Sequence, residues 1–538
     1  MDIIKVQGLG FTYNGEEKKV INNLCMDVNK GDFVILCGES GSGKTTLLKL
    51  LKSEIAPNGR VEGRIIIDGR ICDGHWDKEL SSKVGYVFQN PDNQIVTDKV
   101  WHELVFGMEN MGMSQMDMKK RLAEITAYFN LENLIDRNTW ELSGGEKQKV
   151  NLASVVAMKP QVILLDEPLG QLDPVASQDF AGILRKINRE LGVTVIIAEH
   201  NLEYILDMAD MLGIMEGGRL AVYDDVRSIL NKKGDLDIKR SIMDIMPVPV
   251  RLHNIIKTQE CCPLDVCGAK SMLSNYMENA ELNRCLSFET GKDVKKGEKV
   301  IKLKDVYFRY GRYEKDVLKH LNMEIYRGEV CSILGNNGSG KTTMVKVLAG
   351  ILRPYSGKVK IHYENMAYLP QNPQSLFVKD SLKDDMLEVG SSDDIERMAA
   401  EFDMEELICK HPYDISGGEQ QRAALMKVLL KSPDIVLMDE PTKGMDKMSK
   451  RKFGKILEKL KTEGITVVMV THDLEFAAEY SDRCGIFFNH EVAVLGETRE
   501  VLCGNAFYTT ESFRIGSEFF KNVLTFEELE YAVGKMVN

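Results

Sequence analysis

The sequence predicts an α/β protein of two tandem units, each a mainly parallel sheet with flanking helices. Three observations carry that expectation: a glycine-rich loop that occurs twice, further motifs that recur in the same order, and short apolar runs that alternate with amphipathic stretches.

The loop reads Gly38-Glu39-Ser40-Gly41-Ser42-Gly43-Lys44-Thr45 and, 297 positions later, Gly335-Asn336-Asn337-Gly338-Ser339-Gly340-Lys341-Thr342. Each copy follows an apolar run suited to a buried strand (33–37 and 330–334) and precedes a helix-like stretch, the context that a phosphate-binding loop requires. The glycines let successive backbone N–H groups turn inward around phosphate oxygens, and the helix N-terminus adds positive dipole. Lys44 or Lys341 supplies a point charge, and the hydroxyl of Thr45 or Thr342, with Thr46 and Thr343 beside them, can reach Mg²⁺ or phosphate. Two nucleotide sites are expected.

The repeat runs far beyond the loops. Ser143-Gly144-Gly145-Glu146-Lys147-Gln148 recurs as Ser416-Gly417-Gly418-Glu419-Gln420-Gln421, Leu164-Leu165-Asp166-Glu167-Pro168 as Leu437-Met438-Asp439-Glu440-Pro441, and His200 as His472. These offsets are 273, 273 and 272, so the second copy lacks about two dozen residues between its phosphate loop and its Ser-Gly-Gly segment, a loss expected to fall in one subdomain. Apolar runs at 162–165 and 194–197, and at 435–438 and 466–470, alternate with amphipathic stretches, as buried parallel strands do. Catalytic residues are then expected at strand C-terminal ends, where open α/β sheets place their ligands.

Residues 1–240 are read as the first unit, 241–298 as a connector and 299–538 as the second. Met246-Pro247-Val248-Pro249 interrupts any helix, 291–297 reads as solvated linker, and 269–286 can hold a short helix. At 538 residues the chain exceeds one core, and each unit is long enough to bury its own sheet. No apolar run approaches the roughly 18 to 20 residues that cross a bilayer, and Met1-Asp2-Ile3-Ile4-Lys5 does not read as a leader, so a cytosolic chain with at most a peripheral membrane role is expected. The formal charge of −12 argues against a nucleic-acid surface spread over the molecule. The connector is charge-balanced, with eight basic and eight acidic residues between Arg240 and Glu298.

Eleven cysteines in such a chain are expected to stay reduced. Cys37 and Cys331 fall in the strands before the loops and read as small buried hydrophobes. Cys261, Cys262, Cys267 and Cys285, with His253 nearby, lack paired C-x-x-C spacing, so scattered thiols are favoured over a metal site.

The acidic pairs carry the chemistry. An Asp ending a buried strand (Asp166, Asp439) can hold Mg²⁺, and the neighbouring Glu (Glu167, Glu440) can polarise the water that attacks a γ-phosphate. Gln89 and Gln371, each opening an Asn-Pro segment, are placed to touch Mg²⁺ and that water, and His200 and His472 to hydrogen-bond the γ-phosphate.

In this order and duplication the residues resemble the nucleotide-binding domains of ABC ATPases, over nearly the whole chain outside the connector. The resemblance implies P-loop NTPase folds with a helical signature subdomain, ATP and Mg²⁺ as ligands, and ATP hydrolysis. It implies that the Ser-Gly-Gly signature of one domain caps the ATP held by the other. Site one would join Gly38, Ser40, Gly41, Gly43, Lys44, Thr45, Thr46, Gln89, Asp166, Glu167 and His200 with Ser416, Gly417 and Gly418. Site two would join Gly335, Asn337, Gly338, Gly340, Lys341, Thr342, Thr343, Gln371, Asp439, Glu440 and His472 with Ser143, Gly144 and Gly145. Tyr13 and Tyr310, each 25 residues before a loop, match the family's adenine-stacking aromatic, and Asp173 and Asp446 its interface aspartate. Both sites keep the Glu and a full signature, so two hydrolytic sites are expected.

For what hydrolysis drives, Gln89-Asn90-Pro91-Asp92-Asn93-Gln94-Ile95 and the following 103–110 resemble the extended Q-loop and membrane-facing helix of energy-coupling factor transporters, importers of vitamins or transition-metal ions. The stretch 168–174 and Cys262-Pro263-Leu264 resemble fused members of that group, whereas 371–377 lacks the Asp-Asn-Gln element and is shorter. That reading implies a peripheral subunit on the cytoplasmic face of the cell membrane, with membrane coupling and substrate-binding subunits as partners and the cargo recognised elsewhere. Two alternatives compete with this reading. The twin ATPase of a sugar importer usually carries degenerate motifs in one half, and a soluble ABC protein acting on ribosomes typically has a long, charged, helical connector. A DNA-repair ABC protein would carry long insertions or zinc motifs.

Overall fold

The computed structural model describes residues 2–72, 78–231, 240–256, 258, 261–279, 287–288, 297–363, 365–506 and 508–537. Two compact units divide between Arg251 and Leu252.

In the first unit, Val84–Val87, Val162–Asp166, Thr194–Ala198, Phe33–Gly38 and Met211–Glu216 form a parallel sheet in that spatial order, and Arg219–Asp225 closes one edge antiparallel. The runs 162–166 and 194–198 are buried throughout, because both faces of the sheet are covered. Register brings the strand ends level. Leu36 pairs with Ala198, and Ala198 with Asp166, so the phosphate loop, the acidic pair and His200 all leave the same edge of the sheet. The second unit repeats the sheet with Met366–Leu369, Ile435–Asp439, Thr466–Thr471, Val330–Leu334, Arg483–Phe488 and Glu491–Glu497. There Leu334 pairs with Thr471, and Asp439 with Val470.

Each unit also carries an antiparallel sheet that hydrophobic periodicity did not separate from the parallel one. Ile21–Asn29, Asp2–Tyr13, Gly59–Ile67 and Arg70–Cys72 form it in the first unit, and Leu318–Tyr326, Lys299–Phe308 and Ser356–Ile361 in the second. One apolar cluster joins it to the parallel sheet through Leu9, Phe11, Leu36, Leu47 and Leu164, and in the second unit through Leu303, Leu318, Ile333, Met344 and Leu437. Helices cover the opposite side. In the second unit Leu425, Phe453 and Leu457 pack there against Val436 and Val467.

The shorter second copy corrects one expectation, because its missing residues divide between two subdomains. Lys44 to Gln89 spans 45 positions against 30 for Lys341 to Gln371, and Gln89 to Ser143 spans 54 against 45. The first loss corresponds to the edge strand Arg70–Cys72 and helix Lys78–Lys83, and the second to shorter helices, Leu382–Leu387 and Ser392–Glu401 against Val100–Asn110 and Gln115–Tyr128.

In the connector, the helix Arg240–Ile245 stops before Met246, and a new helix, Val248–Ile256, takes Pro249 in its first turn, where the missing N–H costs nothing. The expected helix at 269–286 begins earlier, as Val266–Asn279; residues 280–286 and the linker 291–296 lie outside the described residues. Lys270 pairs with Glu518 at 3.2 Å, and Phe288 N donates to Lys521 O at 3.0 Å, which ties this segment to the C-terminal part of the second unit.

Phe453 is fully buried in the second unit's helix-side core, with its ring 6.1 Å from that of Phe476. Truncating it to Ala should cost about 3–5 kcal/mol through lost contacts and the cavity left behind. Calorimetry should then show the transition of the second unit lowered and that of the first unchanged.

Candidate functional site

Both phosphate loops are shaped by backbone that only glycine tolerates well. Gly41 and Gly43 lie at φ 78° and 100°, and Gly338 and Gly340 at 75° and 117°. A Cβ at Gly43 would stand 3.0 Å from Val20 O, and one at Gly340 2.8 Å from Val317 O, so glycine at these positions also lets the backbone before the second strand of the antiparallel sheet pass close by. Lys44 Nζ donates to Gly38 O and Glu39 O, each at 3.0 Å, and Lys341 Nζ to Gly335 O and Asn336 O at 2.7 and 2.9 Å. The ammonium is thereby held across the mouth of its own loop. Ser42 Oγ and Ser339 Oγ are buried in the loops with no hydrogen-bond partner, an arrangement that fits an incoming phosphate oxygen. Tyr13 OH lies 2.9 Å from Thr46 Oγ1, and Tyr310 OH 3.0 Å from Thr343 Oγ1, so both tyrosines sit beside the first turn of the helix that follows.

The strand ends bring the acidic pairs to the loops. Thr45 Oγ1 donates to Asp166 Oδ1 at 2.8 Å, and Thr342 Oγ1 to Asp439 Oδ1 at 2.9 Å. Burial pushes both Asp carboxyls above the usual range, opposed by the threonine bond and reinforced by the next Glu. A buried carboxylate with a hydroxyl beside it is a donor set that fits Mg²⁺, whose charge would offset that cost.

Glu167 receives Gln89 Nε2 at 2.7 Å and lies 2.8 Å from His200 Nε2, so three of the motif residues converge. His200 Nδ1 is buried without a hydrogen-bond partner. In the second unit, His472 Nδ1 lies 2.9 Å and Lys341 Nζ 3.7 Å from Glu440, and His472 N donates to Glu440 Oε2 at 3.3 Å. Burial works against ionisation of Glu440, but His472 and Lys341 outweigh it and hold the carboxyl below its ordinary range. Gln371 is exposed.

Each signature begins a helix with a capping box: Ser143 Oγ accepts from Glu146 N at 3.4 Å while Ser143 N donates to Glu146 Oε2 at 2.8 Å, and Ser416 and Glu419 do the same. A Cβ on Gly145 would meet Ala176 Cβ at 3.2 Å and one on Gly418 would meet Ser449 Oγ at 2.9 Å, so glycine lets the helices Pro174–Leu191 and Lys447–Thr462 approach. Gly144 has open space around its Cβ position, and Gly417 nearly so. Asp173 and Asp446 are the N-caps of those two helices, accepting from Ala176 N and Ser449 N at 2.8 Å.

Several functional features were not read from the sequence. Tyr86 OH and Tyr368 OH donate to Asp166 and Asp439 at 3.2 and 3.3 Å, a partnership between strands that spacing does not reveal. Glu167 and Glu440 both sit in the left-handed region, at φ 43° and 49°, the kind of backbone strain that active sites hold. Glu103 is buried and accepts Val96 N and Thr97 N at 3.1 and 2.9 Å; Asp385 does the same for Val378 and Lys379. Glu199 is buried beside the first acidic pair, where Glu-His in place of Thr-His was the available signal. Of the connector cysteines read as scattered thiols, Cys261 and Cys267 are exposed, Cys262 is buried, and Cys285 lies outside the described residues.

The chain is similar to known proteins over most of its length. The sequence profile of the ABC transporter family matches residues 21–170 and 318–443. An ABC transporter ATP-binding protein assigned in Bacillus thuringiensis is 34% identical over 98% of this chain and 97% of its own length. One from Methanosarcina mazei is 30% identical over 93% of this chain and 90% of its own. The archaeal ribosome recycling factor aABCE1, solved with the ribosomal stalk protein aP1, superimposes with a TM-score of 0.59 at 22% identity, over 92% of this chain and 91% of that one, a likeness of fold.

Glu199 supplies a pH test of this geometry. Burial, reinforced by the charge of Glu167, pushes its carboxyl from the ordinary 4.5 up to about 8. Between those values the unfolded chain is ionised at this position and the folded chain is not, so the native state binds more protons and loses stability as pH rises. Replacing Glu199 with Gln should flatten the fall in unfolding free energy across that window, as read by denaturant titrations at either end.

Proposed function

Because the chain belongs to the ABC transporter ATP-binding family, with ATP hydrolysis as its activity, we propose that it is the energy-coupling subunit of an importer of the energy-coupling factor type, moving a vitamin or a transition-metal ion. The observation that carries the proposal is the segment after Gln89, which leads from the acidic pair to an aromatic surface. At one end Gln89 touches Glu167. Along its length the signature helix grips it, with Lys147 Nζ 2.6 Å from Asp92 and Asn151 Nδ2 3.0 Å from Pro91 O. Gln94 folds back onto Phe88 N at 3.0 Å. At the other end the helix Val100–Asn110 exposes Trp101, stacked on His102, and Phe106, edge-on to the same ring, with Val96 and Met111 exposed nearby. Apolar groups of this size at the surface suit a binding interface, and membrane coupling and substrate-binding subunits are the partners of this reading. It places the protein peripherally at the cytoplasmic face of the membrane; no helix among the described residues is long and apolar enough to cross one.

At each site the phosphate loop holds the nucleotide and the Lys (Lys44, Lys341) neutralises phosphate charge. Glu167 and Glu440 orient the attacking water and take its proton, and His200 and His472 hold the γ-phosphate. Thr45, Gln89 and Asp166 in one unit, and Thr342, Gln371 and Asp439 in the other, would hold Mg²⁺, which supplies charge stabilisation when bound. The signature at Ser143 serves the nucleotide of the second loop, and that at Ser416 the nucleotide of the first. Tyr13 and Tyr310 stack on adenine.

Two measurements test this reading. A Glu167→Gln, Glu440→Gln double variant should bind MgATP as the parent does while phosphate release falls by about 10²- to 10⁴-fold; turnover near the parent rate would overturn the assignment of the base. Affinity capture of the tagged protein from detergent-solubilised cells of its own source, with mass spectrometry, should recover small multi-span membrane proteins, and recovery should drop for a Trp101→Ala, Phe106→Ala variant. Ribosomal proteins and RNA without membrane proteins would overturn the importer reading.

A further inference from the structure

We propose that Glu199 is a positioning residue of the first site alone, clipping the loop after Glu167 to the backbone of His200, and that it makes the two hydrolytic sites unequal. This rests on the two-site reading above. Glu199 is 2% exposed, and its own N–H donates to Leu36 O at 3.1 Å, so it extends its strand alongside the one that feeds the phosphate loop. Its two carboxyl oxygens point to different loops: Oε2 accepts Leu169 N and Oε1 accepts His200 N, each at 3.3 Å. Leu169 lies two residues after Glu167, in the segment that ends at the helix cap Asp173.

The repeat provides an internal control. The equivalent position in the second unit is Thr471, also buried, whose Oγ1 accepts Asp473 N at 3.0 Å and reaches a neighbour two residues on. His472 N is taken instead by Glu440, the residue proposed as base. In the first unit Glu199 takes the corresponding N–H, and Glu167 is directed to Gln89 and His200. The Glu167 side chain is 15% exposed and that of Glu440 5%. The Glu440 carboxylate is thus tied to the backbone of the loop that carries His472 and lies deeper, which leaves it less able than Glu167 to reach an attacking water. The first site is thereby set for faster hydrolysis than the second.

The full chain would be incubated with Mg²⁺, vanadate and a photoreactive azido-ATP, irradiated and digested, and the label assigned to peptides of either unit. In the parent the vanadate-dependent label should favour the first unit. Glu199→Thr should lower the first-to-second ratio by about threefold or more, the scale of one hydrogen bond, and the nearly isosteric Glu199→Gln by less. Label taken up without vanadate should stay unchanged in both units, because a clip acts on hydrolysis rather than on binding. Thr471→Glu should raise the share of the second unit. A ratio unmoved by the Glu199 variants would overturn the proposal, as would an equal loss of label with and without vanadate, which marks a purely structural role. Vanadate-dependent label in neither unit would overturn the two-site reading as well, whereas label in both units at an unchanged ratio would overturn this inference only.

Discussion

The level ending of three parallel strands is the constraint on which the rest of this protein depends. Leu36, Ala198 and Asp166 stand in one row of paired residues, and Leu334 with Thr471 and Asp439 with Val470 repeat the arrangement. Strands of a parallel sheet cannot slip by one residue without turning every buried side chain to the opposite face, so the register is held by the whole core. That rigidity delivers a lysine, an acidic pair and a histidine from distant parts of the chain to within hydrogen-bond reach. It also tolerates the burial of Asp166 and Asp439, which would be costly in a site lacking the threonine and tyrosine hydroxyls that surround them.

Duplication within one chain permits the two copies to diverge. The frame is kept: both glutamates adopt the same left-handed backbone, both signatures the same capping box and both aspartates the same cap. Divergence falls on the residues around the frame, with Glu199 against Thr471, and on a Gln89 segment that is gripped by the signature helix through Lys147 and Asn151. In the second unit the shorter segment is held differently, by Lys427 reaching Leu376 O at 2.7 Å and Asp385 at 2.9 Å. The two helical subdomains therefore present different surfaces on similar supports.

The loops and strands were legible because each imposes a local rule, glycines where backbone N–H groups must turn inward and an apolar run for a doubly covered strand, whereas the signatures were read from repetition and resemblance and their capping boxes emerged only in the structure. The fold class, the tandem repeat and the site residues at the strand ends followed from those rules. The antiparallel sheets were not separated from the parallel ones, since alternation along 2–13 or 299–308 is the same whichever sheet a strand joins. The division of the shorter copy between two subdomains needed the positions of Arg70–Cys72 and the helices to be seen.

By itself the sequence determined that there are two phosphate loops, each with its acidic pair, glutamine, histidine and signature, because these are matters of residue type and short spacing. Only the tertiary structure decided which groups share a proton or a charge. Tyr86 finds Asp166 across 80 residues, Leu169 finds Glu199 across 30, and the same glutamate is half-buried in one unit and buried in the other. Such pairings depend on sheet register and on burial, which arise from the packing of the whole unit and leave no mark in the local order of residues.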